Sequence, residues 1–536
     1  MVKEEIKEEI PIPGVEYSIN GIFRHHTYEH PLINDAAVYP QLHATMSDWD
    51  RTSPQDASPY VPAQQEQEPI KVDLGISPIT TVSLSAFNSI NLGKHFQYKR
   101  AHLFNTGGAI CGLDFAPKTT TLDSQPNIHY LATGGYKEPN VLHSFETPRQ
   151  GYQNCIQLWK CDLATSTPND QVMDPVLDLV FLHDYGHVRD LKWCPYGAYE
   201  ETVPEGLDGD ILPKLGILSG CFGDGTVRSM VVPHPNALRA QLGLTDDHHE
   251  TIYLKIKQAR CVFALPNASA TTIAYGGHKK LAIGYSSGNI SLWNMTKALE
   301  NDQQENARDI RRSTRFMIFN VIIHDAGVQA IAWHGMNDPV NIASGGNDGK
   351  LTCLDSRDPY IPMNLIRTRS IQPCVVWPGH RHKILYADAD LMLKDLETQD
   401  CKDFKSGSNF AACSGFTLSM AASEQHSYIV FGSSAGYVRT FNTLAKKVKA
   451  KARIQNVIFR LIYHEDTKVY RYVDGLQPES IDTAKAMPSL NRVLHHNMSI
   501  SKVCWNPNSL TSAWIASAGP NGLCRLDFVG AGKDWD

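Results

Sequence analysis

Gly216-Ile217-Leu218-Ser219-Gly220-Cys221-Phe222-Gly223-Asp224-Gly225-Thr226-Val227-Arg228-Ser229-Met230-Val231-Val232 is the stretch on which the fold turns. An apolar run ends in small residues, Gly223-Asp224-Gly225 turns tightly, and an alternating run follows. Asp-Gly and Asn-Gly supply the positive φ of a short hairpin, and the flanking runs alternate between buried and exposed faces. The phrase returns at Leu281 to Asn294 with Ser286-Ser287-Gly288 at the turn, and at Ile342 to Asp355 with Asn347-Asp348-Gly349. It returns again at Ile429 to Asn442 with Ser434-Ala435-Gly436, and at Trp514 to Phe528 with Pro520-Asn521-Gly522. Two weaker copies, Tyr130 to Trp159 (split by an insertion) and Ile384 to Leu396 (Ala387-Asp388-Ala389, without glycine), bring the number to seven. A lone hairpin cannot bury its apolar face, so a repeated one implies stacked or radially arranged sheets.

Upstream of most copies lies another apolar run ending in a bulky ring: Ile110 to Phe115, Val188 to Trp193, Thr272 to Tyr275, Val328 to Trp333, Cys374 to Trp377 and Val503 to Trp505. Phe416 to Ala421 fills the same slot more weakly. Several runs meet proline soon after, as in Trp193-Cys194-Pro195 and Trp505-Asn506-Pro507, which stops one strand before the next. Each unit therefore reads strand, turn, strand, tight turn, strand, with room for an outer fourth.

The 536 residues are 42% hydrophobic and 20% charged, a globular composition, and 30 prolines with 38 glycines suit a turn-rich β chain. A net charge of −6 excludes a global basic field, so any nucleic-acid contact must be local. The 12 cysteines are scattered, with no Cys-x-x-Cys, and several sit inside predicted strands. That usage suits a reducing compartment. The N-terminus shows no apolar signal region and no run is long enough to span a bilayer, so an intracellular protein without membrane contact is expected.

Residues 1–78 differ from the rest: two Lys-Glu-Glu repeats, then Pro, Gln, Ser and Asp without a sustained period. The expectation is a disordered acidic and polar tail ahead of a β domain over 79–536. Lys3 and Lys7 lie in apolar-Lys-x-acid patterns that resemble sumoylation acceptors. Long insertions (among them 199–213, which is acidic, 239–255, 296–315 and 444–457) are expected to carry interaction surfaces on a rigid scaffold. Lys446, Lys447, Lys449, Lys451 and Arg453 are spaced to meet several backbone phosphates, a contact that binds without reading sequence. A solvated loop or an import signal would look the same. Arg308, Arg311, Arg312 and Arg315 form a second cluster of this kind.

No catalytic motif survives its context. Gly284-Tyr285-Ser286-Ser287-Gly288 and Gly432-Ser433-Ser434-Ala435-Gly436 match the hydrolase elbow, but that elbow needs a strand-to-helix turn and both fall at strand-to-strand turns. Among 22 histidines, the adjacent pairs His25-His26, His248-His249 and His495-His496 lack zinc-ligand spacing. No phosphate-cradling or dinucleotide fingerprint occurs. The chain reads as neither an enzyme nor a cofactor, metal or small-molecule binder.

Gly186-His187 and His324 stand before the first strand of their units, while Ser219 with Asp224, and Ser344 with Asp348, stand at the second strand and its turn. This resembles the WD-repeat pattern, whose His, Ser/Thr, Asp and Trp form a hydrogen-bonded network within a blade. The resemblance implies such networks around His187, Ser219 and Asp224, around His324, Ser344 and Asp348, and at Trp293. The Trp-Asp signature itself is degraded, to Trp159-Lys160, Trp293-Asn294 and Leu354-Asp355. The expected fold is all-β, a seven-bladed WD-repeat β-propeller, with a segment near 92–104 supplying the last blade's missing strand.

One block is more specific. His187-Val188-Arg189-Asp190-Leu191-Lys192-Trp193-Cys194-Pro195-Tyr196-Gly197 runs through the acidic insertion and the quoted hairpin to Pro233-His234-Pro235-Asn236-Ala237-Leu238, and Lys280 to Trp293 continues it. This is similar to the WD-repeat subunit of general transcription factor IIIC, the vertebrate 110-kDa and yeast tau-91 type. The resemblance implies a non-catalytic nuclear scaffold, assembling on internal promoters of tRNA-type genes for RNA polymerase III. Its expected partners are other subunits of that factor, the largest promoter-reading subunit foremost and a second propeller subunit as a further candidate, with DNA reached mainly through the complex. The alternative is a propeller adaptor of a chromatin complex or a ubiquitin-ligase substrate receptor, for which Leu354-Asp355-Ser356-Arg357 is the nearest motif.

Overall fold

The computed structural model describes residues 37–63, 68–96, 99–139, 151–164, 171–204, 206, 209–244, 250–300, 314–388, 390–398, 407–444, 454–480 and 495–530. Seven antiparallel sheets follow one another along these residues. Blade 1 is Ala109–Phe115, Ile128–Tyr136, Asn154–Asp162 and Val176–His183; blade 2 is Val188–Trp193, Lys214–Phe222, Val227–Pro233 and Cys261–Phe263. Blade 3 is Ala270–Gly276, Lys280–Tyr285, Asn289–Asn294 and Met317–Ile322; blade 4 is Val328–Trp333, Asn341–Gly346, Lys350–Asp355 and Asp358–Arg367. Blade 5 is Val375–Val376, Lys383–Ala387, Met392–Glu397 and Ser408–Ala412; blade 6 is Thr417–Ala422, Tyr428–Ser433, Tyr437–Asn442 and Ile454–His464. Blade 7 takes Lys502–Trp505, Trp514–Ala518 and Leu523–Phe528 from the C-terminal end, and Ala101–Asn105 from before blade 1 as its fourth strand. The first strands of successive blades lie side by side, and that of blade 7 lies against that of blade 1, so the ring is a closed β-propeller.

The hairpin chemistry is what the turns use. Gly225, Gly288, Gly349, Gly436 and Gly522 all have φ between +76° and +87°. At Gly288 the need is double, because a Cβ there would stand 2.0 Å from the His324 carbonyl oxygen. In blade 5, where the repeat lacks glycine, Leu391 takes the positive φ of +60°.

The rings that end the first strands join blades. Trp193 donates its indole N–H to the Asp114 carbonyl (3.2 Å), Trp333 to Ala274 (3.1 Å) and Trp505 to Ala421 (3.1 Å). Each bond runs from one blade's first strand to that of the blade before. Burial of the apolar ring and satisfaction of its one donor are thereby achieved together.

The expected disordered tail over 1–78 is corrected for the described part of that range. Ala44–Thr45 pairs with Ile211–Leu212 in the acidic insertion. Trp49–Thr52 pairs with Ile252–Ile256, which itself adds parallel to Val176–His183, so blade 1 has six strands. Ile70–Leu74 adds parallel to Val469–Val473 and Thr80–Leu84 adds beyond it, which extends blade 6 to seven strands in line. The segment's apolar residues are too sparse for a core of their own. Val38, Tyr39, Trp49, Tyr60, Val72 and Leu74 are buried because they fill sheets built elsewhere. Residues 1–36, with Lys3 and Lys7, lie outside the described residues.

Candidate functional site

In blade 4 the expected network forms. His324 Nδ1 lies 3.1 Å from Asp348 Oδ1, and its Nε2 lies 2.9 Å from Ser344 Oγ, which in turn meets Thr352 Oγ1 at 2.6 Å. Asp348 also accepts from the Asp325 and Lys350 amides, so one carboxylate fixes both the turn and the ring. Burial holds the His324 pKa below its ordinary value although Asp348 opposes the shift. Leu354 occupies the tryptophan's place at the end of the third strand.

Blade 2 does not assemble the same set. Ser219 Oγ bonds to Ser229 Oγ and to the Tyr275 hydroxyl of blade 3, both at 2.6 Å. Asp224 accepts from the Thr226 amide and hydroxyl and from Arg228 Nη2 at 2.6 Å. His187 stacks on Tyr136 with 4.4 Å between centroids. Arg228, two residues past Thr226, has taken the carboxylate that the pattern reserves for histidine. Trp293, in blade 3, donates to Ser291 Oγ of its own strand at 2.6 Å, and Ser291 also meets the Tyr285 hydroxyl.

The serine-elbow matches have structural work of one kind. Ser286 Oγ accepts from the Ser269 amide at 3.1 Å, and Ser434 Oγ accepts from the Phe416 amide at 3.0 Å. Each turn serine thus caps the entry to its own blade's first strand.

At the inner strands a row of charges ties blades together. Lys502 of blade 7 reaches past blade 1 to Asp190 of blade 2 at 2.9 Å, and Asp190 also accepts from Thr272 Oγ1 of blade 3 at 3.2 Å. Lys192 faces Asp114 at 3.7 Å. Burial pushes the Asp114 pKa up against the pull of Lys192. Burial also opposes the Lys192 charge, but Asp114 and Asp190 outweigh it and hold the ammonium above its usual range. Sequence reading missed this row, because its charged members lie in three separate repeats and only the ring brings them together.

Among the described residues no group of three His, Cys, Asp or Glu side chains is placed to hold a metal, and no helix is long and apolar enough to cross a membrane. The eleven described cysteines are free, and all but half-buried Cys111 are buried. Lys446, Lys447, Lys449, Lys451 and Arg453 lie outside the described residues, as do Arg308, Arg311 and Arg312; Arg315 is exposed in the 3-10 turn Thr314–Phe316 just before blade 3's outer strand.

Three curated relatives match over much of the chain. The chain is 23% identical over 454 residues to Transcription factor tau subunit sfc6 of Schizosaccharomyces pombe, covering 82% of this chain and 67% of that protein. It is 28% identical over 341 residues to General transcription factor 3C polypeptide 2 of Pongo abelii and of Homo sapiens, covering 60% of this chain and 35% of each. The resemblance is to transcription factor IIIC subunits. The chain spans about a third of the length of the two General transcription factor 3C polypeptides it matches. No protein-family profile matches it. Among solved structures, a chain of the crystal structure of the mitotic checkpoint complex superposes with a TM-score of 0.42 at 12% identity, over 80% of this chain and 91% of that one.

Proposed function

We propose that this chain is a non-catalytic scaffold subunit of transcription factor IIIC, acting in the nucleus on internal promoters of tRNA-type genes for RNA polymerase III. The observation that carries the reading is the match to transcription factor IIIC subunits from a fission yeast and two primates, spanning 60–82% of this chain. The side chains that by type suggest chemistry are already engaged in blade geometry: Ser286, Ser434 and His324 each hold a strand or turn in place. A rigid ring with these groups occupied suits docking rather than turnover. The adaptor motif has less behind it, since Arg357 is held by Asp355 of its own turn at 2.6 Å.

Within the assembly, the largest promoter-reading subunit is the first partner to test, a second propeller subunit the next. Lys446, Lys447, Lys449, Lys451 and Arg453 add sequence-independent contacts to backbone phosphates. The deciding experiment is affinity purification of the tagged full chain from its native source. Co-purified transcription factor IIIC subunits are the expected outcome, and a cullin adaptor in their place would overturn the reading. Reversing Lys446, Lys447, Lys449 and Lys451 to Glu should weaken DNA association of the purified assembly and flatten its salt dependence; unchanged anisotropy titrations at low salt would remove the DNA contact.

A further inference from the structure

The outer edge of blade 4 stands apart from the other edges. The chain covers the fourth strand of blade 1 with Ile252–Ile256 and Trp49–Thr52, that of blade 6 with Val469–Val473 and two strands beyond, and that of blade 7 with Ser89–Asn91. Among the described residues, blades 2 to 5 end at their fourth strand, and of these Asp358–Arg367 is the longest, at ten residues against three, six and five. Five consecutive residues of it, Tyr360 to Asn364, are exposed, so both faces of the strand stand clear. Tyr360 is 77% exposed, Ile361 72% and Met363 47%. Large apolar side chains bared in a row on a rigid element mark an interaction surface.

Two features narrow the mode of contact. Pro359 and Pro362 remove two backbone donors from the edge, which blunts it against pairing with another strand. Recognition must then run through side chains. Arg357 stands before the strand, Arg367 ends it and Arg369 follows, all exposed, and Arg367 and Arg369 have no ion pair among the described residues. An apolar centre of Tyr, Ile and Met beside arginines is the composition of a protein interface core and its rim. A second copy of this chain would oppose the same arginines to one another across a twofold contact. Aliphatic side chains at the centre offer nothing to a phosphate backbone. The remaining complement is a different protein carrying apolar side chains flanked by carboxylates.

We infer that the blade 4 edge, centred on Tyr360, Ile361 and Met363, is a docking surface for an acidic, apolar surface of another protein subunit. It rests on the scaffold reading in requiring a protein partner within the assembly. The test places photoreactive benzoylphenylalanine at position 360 in the tagged full chain, with position 122 (exposed Leu122, ahead of blade 1's second strand) as the comparison. After irradiation of the native assembly, crosslinked peptides are identified by mass spectrometry. The expected result is a crosslink from 360, and none from 122, to a segment of another subunit in which carboxylates flank apolar residues. Adding Ile361→Asp and Arg367→Glu should lower that crosslink at least tenfold with an unchanged melting temperature. A crosslink to a second copy of this chain, a crosslink to DNA, or none in an assembly that still holds transcription factor IIIC subunits, would overturn the inference. Loss of the scaffold reading has a separate signature: a 360 crosslink to an acidic protein in an assembly containing no transcription factor IIIC subunit.

Discussion

Arg525 on the last strand donates through Nη1 to the Asp474 carboxylate at 2.9 Å, and both side chains are buried. Asp474 belongs to the extension of blade 6. Asp527 bonds the same guanidinium at 3.0 Å, and Lys99, just before the closing strand, reaches Asp474 at 3.0 Å and Asp527 at 3.4 Å. Phe459 and Tyr472 lie under the guanidinium at 4.3 Å and 5.0 Å. The clasp gathers the segment before blade 1, the edge of blade 6 and the chain's last strand at one point.

Arg525→Met should be among the most damaging single changes. It strands Asp474 and Asp527 without their main counter-charge, and breaking a buried pair from one side costs about 3–5 kcal/mol. Denaturant titration of the full chain checks this. The Asp474 pKa is lowered: burial opposes ionisation, but Arg525 and Lys99 outweigh it. A depressed carboxylate gives stability above its unfolded pKa, near 4, and loses it as pH falls through the folded value. Asp474→Asn should therefore flatten the acid limb of the stability curve.

Buried histidines set a second acid dependence at milder pH. Burial pushes His129 and His183 down to about 3, and His234 and His426 down to about 4. The unfolded chain takes these protons first, below its ordinary value of about 6.5. Stability is thus complete above that value and falls towards pH 4, by up to about 1.4 kcal/mol per pH unit for each group. His426→Asn should make the slope between pH 6 and 4.5 shallower by roughly one such group, read from melts across pH.

The first-strand tryptophans differ in what substitution should do. Trp505→Phe removes a donor to the Ala421 carbonyl and should cost about 1 kcal/mol beyond the smaller ring. Trp377 is buried with its indole N–H unpartnered, stacked on His334 at 4.7 Å. Trp377→Phe should be milder, since it discards a donor already left without an acceptor. Paired thermal melts separate the two, and equal losses would deny the interblade bond its role.

Truncation probes the N-terminal strands in turn. Removal of 1–75 takes away Trp49–Thr52 and Ile70–Leu74 and should lower it by several degrees. Removal of 1–105 opens blade 7 and should abolish the cooperative transition.

The ring was legible in the sequence because a hairpin declares itself locally. Glycine after Asp, Asn or Ser, with alternating runs on either side, is a signal contained in about fifteen residues. The strands that cap blades 1 and 6 were not legible for the opposite reason. Trp49–Thr52 and Ile70–Leu74 carry one or two buried apolar residues each, and their backbone partners lie in distant repeats. The site divides likewise. His324, Ser344 and Asp348 could be assigned from spacing within one repeat, whereas Arg228 displacing His187 from Asp224 depends on side-chain reach that spacing does not encode. The row of Asp114, Asp190, Lys192 and Lys502 needs blades 7, 1 and 2 in place before it exists.

The pairing of Ala101–Asn105 with Leu523–Phe528 fixes when this protein can first become whole. A ribosome delivers blade 7's outer strand early and its other three roughly 400 residues later, tens of seconds at ordinary elongation rates. Throughout that interval the strand carrying Leu103 and Phe104, buried in the finished ring, pairs on one side with Ser89–Asn91 and lacks its Leu523–Phe528 partner on the other. A nascent chain in this state is a client for holding chaperones, and a premature stop anywhere before Leu523 yields an open arc whose two ends are both sticky.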